Sequence, residues 1–299
     1  DEDKTNDCVI DCTETWGATA TVDACGTCVA EGETACAFHV HAVPAESFED
    51  QEAVKWLEAE NRESCELEAK NCWRPLEEGE LKHDDEVIPA VVIYTKKRDG
   101  RYKARLVALG NRQTRTSKAE VFSPTISHAA NRYLLIEAAA QGHHITRFDI
   151  SNAFVQSVLT EEERVFVRLP KNWSKSPKGD IVRLLKSLYG LKISPRKWFD
   201  TYRKWLEEDG WVMCEREPGL FKKDGMLLSI YVDDAILAGP DLKRVEEERT
   251  KILNRFSGKV IEPVIENGFS KWDVLGSTTR YNREKRILRI TMEESIDRI

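Results

Sequence analysis

Two adjacent carboxylates, Asp233 and Asp234, stand between the apolar runs Leu227-Leu228-Ser229-Ile230-Tyr231-Val232 and Ala235-Ile236-Leu237-Ala238. The pattern is strand, acidic pair, strand, which predicts a hairpin with both acids at its turn. Like charges about 4 Å apart repel by roughly 4 kcal/mol at an effective dielectric of 20. Such a pair needs open solvent or a cation beside it. Two readings therefore stand: a solvated acidic turn, or a site for a hard divalent cation such as Mg²⁺, which takes carboxylate oxygens. A third acid, Asp149, closes the alternating run His144-Ile145-Thr146-Arg147-Phe148-Asp149-Ile150. It either caps the element that follows or joins the other two.

The elements that must position these acids are read from periodicity and punctuation. Residues 47–72 form an amphipathic helix opened by Ser47 and Asp50, with its many glutamates as a solvated face. A β-rich run over 87–94 turns at Arg98-Asp99-Gly100-Arg101 into Tyr102-Lys103-Ala104-Arg105-Leu106-Val107-Ala108. Lys103 and Arg105 share one face of that hairpin, as a solvated edge or as a contact for phosphates. Residues 131–141 read as a buried helix ended by Gly142, with His143-His144 in the loop beyond and little support for a metal role there. Strands follow over 165–169 and 181–184. Gly190 allows another group's backbone to approach closely. Pro195 opens a helix to about residue 209, whose Trp198, Tyr202, Trp205 and Leu206 repeat at core spacing rather than as base-stacking residues. Gly239-Pro240-Asp241 breaks the chain, and Asp241 caps a helix over 242–256. The stretch 272–299 holds two strand-like pieces around a turn at 282–285 and then a helix start at 291–294.

Composition supplies a bias toward one class of partner. The 299 residues are 41% hydrophobic, and no apolar run approaches the length of a membrane helix. The net charge of −7 hides an asymmetry: residues 1–90 carry 24 acidic and 6 basic side chains, and residues 91–299 carry 28 and 39. A basic body suits a polyanion such as a phosphate backbone. No charged-then-apolar leader follows the first residue, so no signal peptide is expected and the chain reads as a fragment or processed form. Five of the eight cysteines (Cys8, Cys12, Cys25, Cys28 and Cys36) crowd the start and define a head over 1–40. A structural Zn²⁺ site and a small disulfide-stapled repeat both fit their spacing. Cys65, Cys72 and Cys214 read as semi-buried thiols.

The ordered blocks Lys103-Ala104-Arg105-Leu106-Val107-Ala108, Phe122-Ser123-Pro124, Phe148-Asp149-Ile150-Ser151-Asn152-Ala153-Phe154, Ser187-Leu188-Tyr189-Gly190-Leu191-Lys192, Ser194-Pro195-Arg196, Tyr231-Val232-Asp233-Asp234 and Leu275-Gly276 resemble the reverse transcriptases of copia-type long-terminal-repeat retrotransposons. The resemblance runs over 48–299. It implies an α+β right-hand polymerase, with fingers, an antiparallel palm sheet flanked by helices, and a partial thumb. It further implies an RNA-dependent DNA polymerase in which a primer 3′-hydroxyl attacks a deoxynucleoside triphosphate in line, on an RNA or DNA template. The catalytic, metal-binding acids would be Asp149, Asp233 and Asp234: two Mg²⁺ ions, replaceable by Mn²⁺, held mainly by Asp149 and Asp233, with Asp234 near the primer end. Phe154 falls where the family places an aromatic under the incoming sugar. Lys103 and Arg105 would contact triphosphate or template phosphates. Tyr189 and Gly190 would lie against the incoming nucleotide or template, and Tyr231 beside the substrate. A cytoplasmic particle or the nucleus is the location the family implies. Ile193-Ser194-Pro195-Arg196 departs from the family's usual Gln-Ala-Pro-Arg, and Ala108-Leu109-Gly110-Asn111 lacks the usual basic residue before its glycine. The cysteine-rich head is foreign to such polyproteins, and RNase H, integrase, protease and capsid segments are not read. A catalytically inactive remnant that binds nucleic acid or a partner is the alternative reading.

Overall fold

The computed structural model describes residues 21–22, 28–29, 51–97, 100–114, 121–173 and 180–292. From the head it describes only β1 (Thr21–Val22) paired antiparallel with β2 (Cys28–Val29). The zinc and disulfide readings, the Ser47 cap and the turn residues Arg98 and Asp99 lie outside the described residues. The remainder is α+β and clusters into two compact units, residues 1–65 with 91–106, and residues 66–90 with 107–299.

In the first unit, helix α1 (Gln51–Ala69) supplies its residues up to 65. They meet the later part of a strand whose whole extent is Val87–Lys96, and the early part of another, Tyr102–Ala108. Not all the glutamates of α1 form the solvated face that its sequence suggests. Glu60 and Glu63 are buried. Burying a carboxylate is costly unless it is hydrogen-bonded. Here Glu60 accepts from the Tyr94 hydroxyl at 2.6 Å and Glu63 from the Leu106 backbone N–H at 3.3 Å. Trp56 stacks edge-on against Tyr94 and Tyr102.

In the second unit, β3 (Trp73–Pro75) pairs antiparallel with β8 (Ile181–Leu184), and β8 with β7 (Phe166–Arg168). Strand β7 in turn runs parallel to the start of β4 (Val87–Lys96), Phe166 opposite Val87. Strand β5 (Tyr102–Ala108), whose residues up to 106 belong to the first unit, buries Ala104, Leu106 and Ala108 and turns Lys103 and Arg105 to its less buried face, as its alternation requires.

The central sheet of this unit has six strands in the order β13-β6-β12-β11-β10-β9, all antiparallel. They are β6 (His144–Ile150), β9 (Val212–Cys214), β10 (Glu217–Lys223), β11 (Met226–Tyr231), β12 (Asp234–Gly239) and β13 (Gly258–Ile261). Both faces are covered, so β11 and β12 are nearly continuously apolar instead of alternating with polar residues. Against one face pack α3 (Ser194–Glu208) and α4 (Leu242–Arg255), whose Trp198, Tyr202, Leu206, Val245 and Ile252, with Phe256 just beyond α4, meet Phe148, Leu228 and Leu237. Against the other pack α2 (His128–Gln141) and a four-stranded sheet of β14 (Val264–Glu266), β15 (Phe269–Val274), β16 (Ser277–Asn282) and β17 (Ile287–Thr291).

Several boundaries differ from the sequence reading. Helix α2 begins at His128, because the Ser127 hydroxyl accepts from the Ala130 N–H, and it ends at Gly142 in the left-handed region. His144 is the first residue of β6 rather than a loop residue. Burial pushes both His143 and His144 below the ordinary histidine range. Thr291 closes a strand instead of starting a helix, and the expected two strands after 272 belong to a four-stranded sheet that begins at Val264. Cys65 is exposed and Cys72 buried, and Cys214 alone is intermediate.

A charge cluster locks β3 to β8. Arg74 grips both oxygens of Glu80 at 2.7 Å, and Arg183 reaches the same carboxylate at 2.9 Å and Glu161 at 2.6 Å. The Arg74 hydrogen bonds, followed by the Glu77 backbone N–H and then Arg183, hold Glu80 at about 2 against an ordinary 4.5. A folded-state value below the unfolded one stabilises the fold above the unfolded value, and that contribution fades as pH falls from about 4.5 through about 2. Thermal melts from pH 6 to pH 2 should therefore show Glu80→Gln melting below the parent at pH 6 and the two converging near pH 2. A constant difference across that range would rule the cluster out as the source.

Candidate active site

The acidic pair sits where the sequence pattern places it, and the backbone explains how. Tyr231 pairs with Asp234, leaving Val232 and Asp233 as a two-residue turn. Val232 has φ of +57°. This is the left-handed region, in which a β-branched residue is strained by about 1–3 kcal/mol. Two hydrogen bonds pin the turn there. The Trp198 indole N–H donates to the Val232 carbonyl at 2.6 Å, and the Ile150 N–H donates to the Asp233 carbonyl at 2.8 Å. Strand β12 then lies beside β6 in a register that sets Asp234 directly opposite Asp149. Side chains of directly opposed residues share a face of the sheet and lie about 5 Å apart at Cβ. Asp149, Asp233 and Asp234 are thus brought to one corner of the sheet, with half-exposed Tyr231 beside them.

Arg147, which the sequence reading passed over, completes this corner. It stands two residues before Asp149 on the same strand, hence on the same face. Its guanidinium is almost fully buried, donates to Asp234 Oδ1 at 3.0 Å, and also donates to the Asp273 carbonyl of β15. Burial pushes the Asp234 carboxyl above the ordinary range, Arg147 opposes that push, and Asp149 and Asp273 add to it. An acid crowded by other acids is what a cation relieves, and carboxylate oxygens are the donors that hard cations take. The donor set therefore suits Mg²⁺. Arg147 already occupies one oxygen of Asp234. Among the described residues no three histidine, cysteine or carboxylate groups converge closely enough to hold an ion in this conformation.

A second group forms around Gly190. The Ala108 N–H donates to the Tyr189 carbonyl at 2.8 Å. Gly190 has φ of +85°, and a Cβ there would stand 2.0 Å from the Ala108 carbonyl oxygen. A Cβ on Gly110 would stand 2.0 Å from the Gly190 oxygen. Lys192 closes the contact, its Nζ donating to the Gln113 carbonyl at 2.6 Å. Two glycines are needed because two backbones cross in contact. The Tyr189 ring meets Phe154 edge-on at 5.0 Å, five residues past Asp149. Lys103 and Arg105 lie on β5 in the other unit.

An antiparallel sheet with a strand-end acid beside a two-acid hairpin, layered by helices, defines a template-dependent polymerase palm. Residues 74–269 match the family model described as reverse transcriptase (RNA-dependent DNA polymerase), and the chain belongs to that family. Its similarity extends to retrotransposon proteins of Saccharomyces cerevisiae. It is 32% identical over 256 residues both to the truncated transposon Ty1-A Gag-Pol polyprotein and to the transposon Ty1-LR2 Gag-Pol polyprotein. These alignments cover 82% of this chain and 20% and 14% of those proteins, so the chain spans a fifth or less of the length of the curated relatives it matches. A solved foamy viral protease–reverse transcriptase in complex with double-stranded DNA aligns over 76% of this chain and 35% of its own, at 14% identity and a TM-score of 0.41, too remote to carry an argument.

Removing the arginine isolates its contribution. Arg147→Gln leaves Asp234 crowded by Asp149 without its counter-charge and frees the Asp273 carbonyl. Because Asp234 is partly solvated, the loss expected in urea unfolding is about 1–3 kcal/mol, below that of a fully buried pair. Arg147→Lys should recover less than half, since an ammonium lacks the rigid planar fork that spans Asp234 and the Asp273 carbonyl. Unchanged stability in Arg147→Gln would contradict this role.

Proposed function

We propose that residues 48–299 are the fingers, palm and partial thumb of an RNA-directed DNA polymerase of a copia-type retroelement, extending a primer on an RNA or DNA template with deoxynucleoside triphosphates. The observation that carries this reading is the register setting Asp234 opposite Asp149 beside the pinned Asp233 turn. Family membership supports it. Two Mg²⁺ ions, replaceable by Mn²⁺, would be held by Asp149 and Asp233 and would stabilise the attacking and leaving oxygens of the in-line displacement. Asp234, oriented by Arg147, faces the primer end. Phe154, braced by Tyr189, lies under the sugar and excludes a ribose 2′-hydroxyl. Gly190 presents bare backbone to the nucleotide or template, Tyr231 lies beside the substrate, and Lys103 and Arg105 contact phosphates.

Primer extension on poly(rA)/oligo(dT) with Mg²⁺ and dTTP tests the proposal. The parent should extend the primer, and Asp149→Asn and Asp233→Asn should each lose at least 100-fold while melting within a few degrees of the parent. No extension by the parent, with primer–template binding intact, would overturn the polymerase reading in favour of a nucleic-acid-binding remnant. Equal extension by the variants would overturn the metal assignment.

A further inference from the structure

A single 3₁₀ turn, Phe154–Gln156, carries the aromatic ring that follows Asp149. So short a turn makes few backbone bonds of its own, and the place of its ring depends on ties to the surroundings. Gln156 supplies two. Its side-chain amide donates to the Ser151 carbonyl at 2.8 Å and to the Ser257 carbonyl at 3.2 Å. Carbonyl oxygens only accept, so both bonds require an N–H donor on residue 156. Ser257 is a fixed reference. Its carbonyl also accepts from the Ser151 N–H at 2.8 Å. Gly258, next in the chain, pairs with Ile150, and a Cβ on it would stand 2.3 Å from the Asp149 carbonyl oxygen. Gln156 thus ties the end of the segment 151–156 back to its start and to the strand that bears Asp149. Asn152, at φ of +50°, is held separately, its amide donating to Glu66 at 2.7 Å.

We propose that Gln156 is a positioning residue for Phe154 and, through that ring, a determinant of selectivity for deoxyribose over ribose. The selectivity role rests on the polymerase reading, in which Phe154 lies under the incoming sugar. Exclusion of one hydroxyl is decided by a displacement of about 1 Å, so a ring that is present but loosely held excludes poorly. The edge contact of Phe154 with Tyr189 at 5.0 Å steadies one side of the ring, and the Gln156 amide fixes the backbone beneath it. Gln156 itself touches no substrate in this account.

The test compares dTTP with ribothymidine triphosphate, which differs only in its 2′-hydroxyl, in primer extension on poly(rA)/oligo(dT) by the whole chain. Gln156→Met keeps the side chain's length and removes its donors. It should lower the preference for dTTP at least ten-fold, mainly through a lower KM for the ribonucleotide, and change kcat/KM for dTTP less than three-fold. Gln156→Lys, which keeps a donor for the carbonyls, should stay within three-fold of the parent's preference. In a Phe154→Ala background, Gln156→Met should change the preference less than two-fold, because the ring it positions is gone. A fluorine resonance of 4-fluorophenylalanine at 154, assigned by its loss in Phe154→Leu, should shift or split in Gln156→Met without any nucleotide present. A parental preference in Gln156→Met, an equal loss in the Phe154→Ala background, or an unmoved fluorine resonance would overturn the proposal while leaving the polymerase reading intact. Absence of extension by the parent would instead overturn the polymerase reading, and the selectivity role with it.

Discussion

Carboxylates do not gather by themselves, and the central sheet sets two of them, Asp149 and Asp234, opposite each other with Asp233 in the adjoining turn. The antiparallel register of β6 and β12 does most of this, because directly opposed positions leave Asp149 and Asp234 no freedom to separate by more than their side chains allow. The turn does the rest. Val232 is held at a φ that its branched side chain disfavours, and two hydrogen bonds from Trp198 and Ile150 offset the strain. Strain held by two hydrogen bonds fixes the geometry of the acidic turn in advance.

The surrounding layers follow from that requirement. A sheet carrying strained, like-charged residues at one corner needs rigidity, and here both faces are packed. Trp198 sits at the join: its ring belongs to the aromatic group with Tyr202 and Phe256, and its N–H holds the turn. Arg147 ties the opposite face, linking Asp234 to the backbone of β15. The four-stranded sheet is thereby connected to the acidic corner, besides its hydrophobic contacts with α2 and the central sheet.

The parts of this site readable from sequence were those set by local pattern. The acid pair between two apolar runs, the alternation ending at Asp149 and the crossing glycine at 190 all signal through near neighbours. Arg147 was missed because its partner lies 87 residues away and only strand pairing brings them together, although its spacing from Asp149 already placed both on one face. Val232 gave no turn signal, being a residue type that turns avoid. Strands β14 to β17 are rich in serine, threonine, lysine and arginine, so their alternation is weak, and only part of them was read as strand. Glu60 and Glu63 looked like solvent-facing charge because nothing local announces Tyr94 or the Leu106 N–H as their partners.

Counting bound Mn²⁺ by electron paramagnetic resonance, on the chain mixed with primer–template and dTTP, tests most directly whether strand register builds a cation site. The parent should bind Mn²⁺ in a dTTP-dependent way, and Asp149→Asn should lose that binding although its substitution lies on the strand opposite the acid pair. Retention of the parent's Mn²⁺ binding by Asp149→Asn would contradict the assembly of the site across β6 and β12.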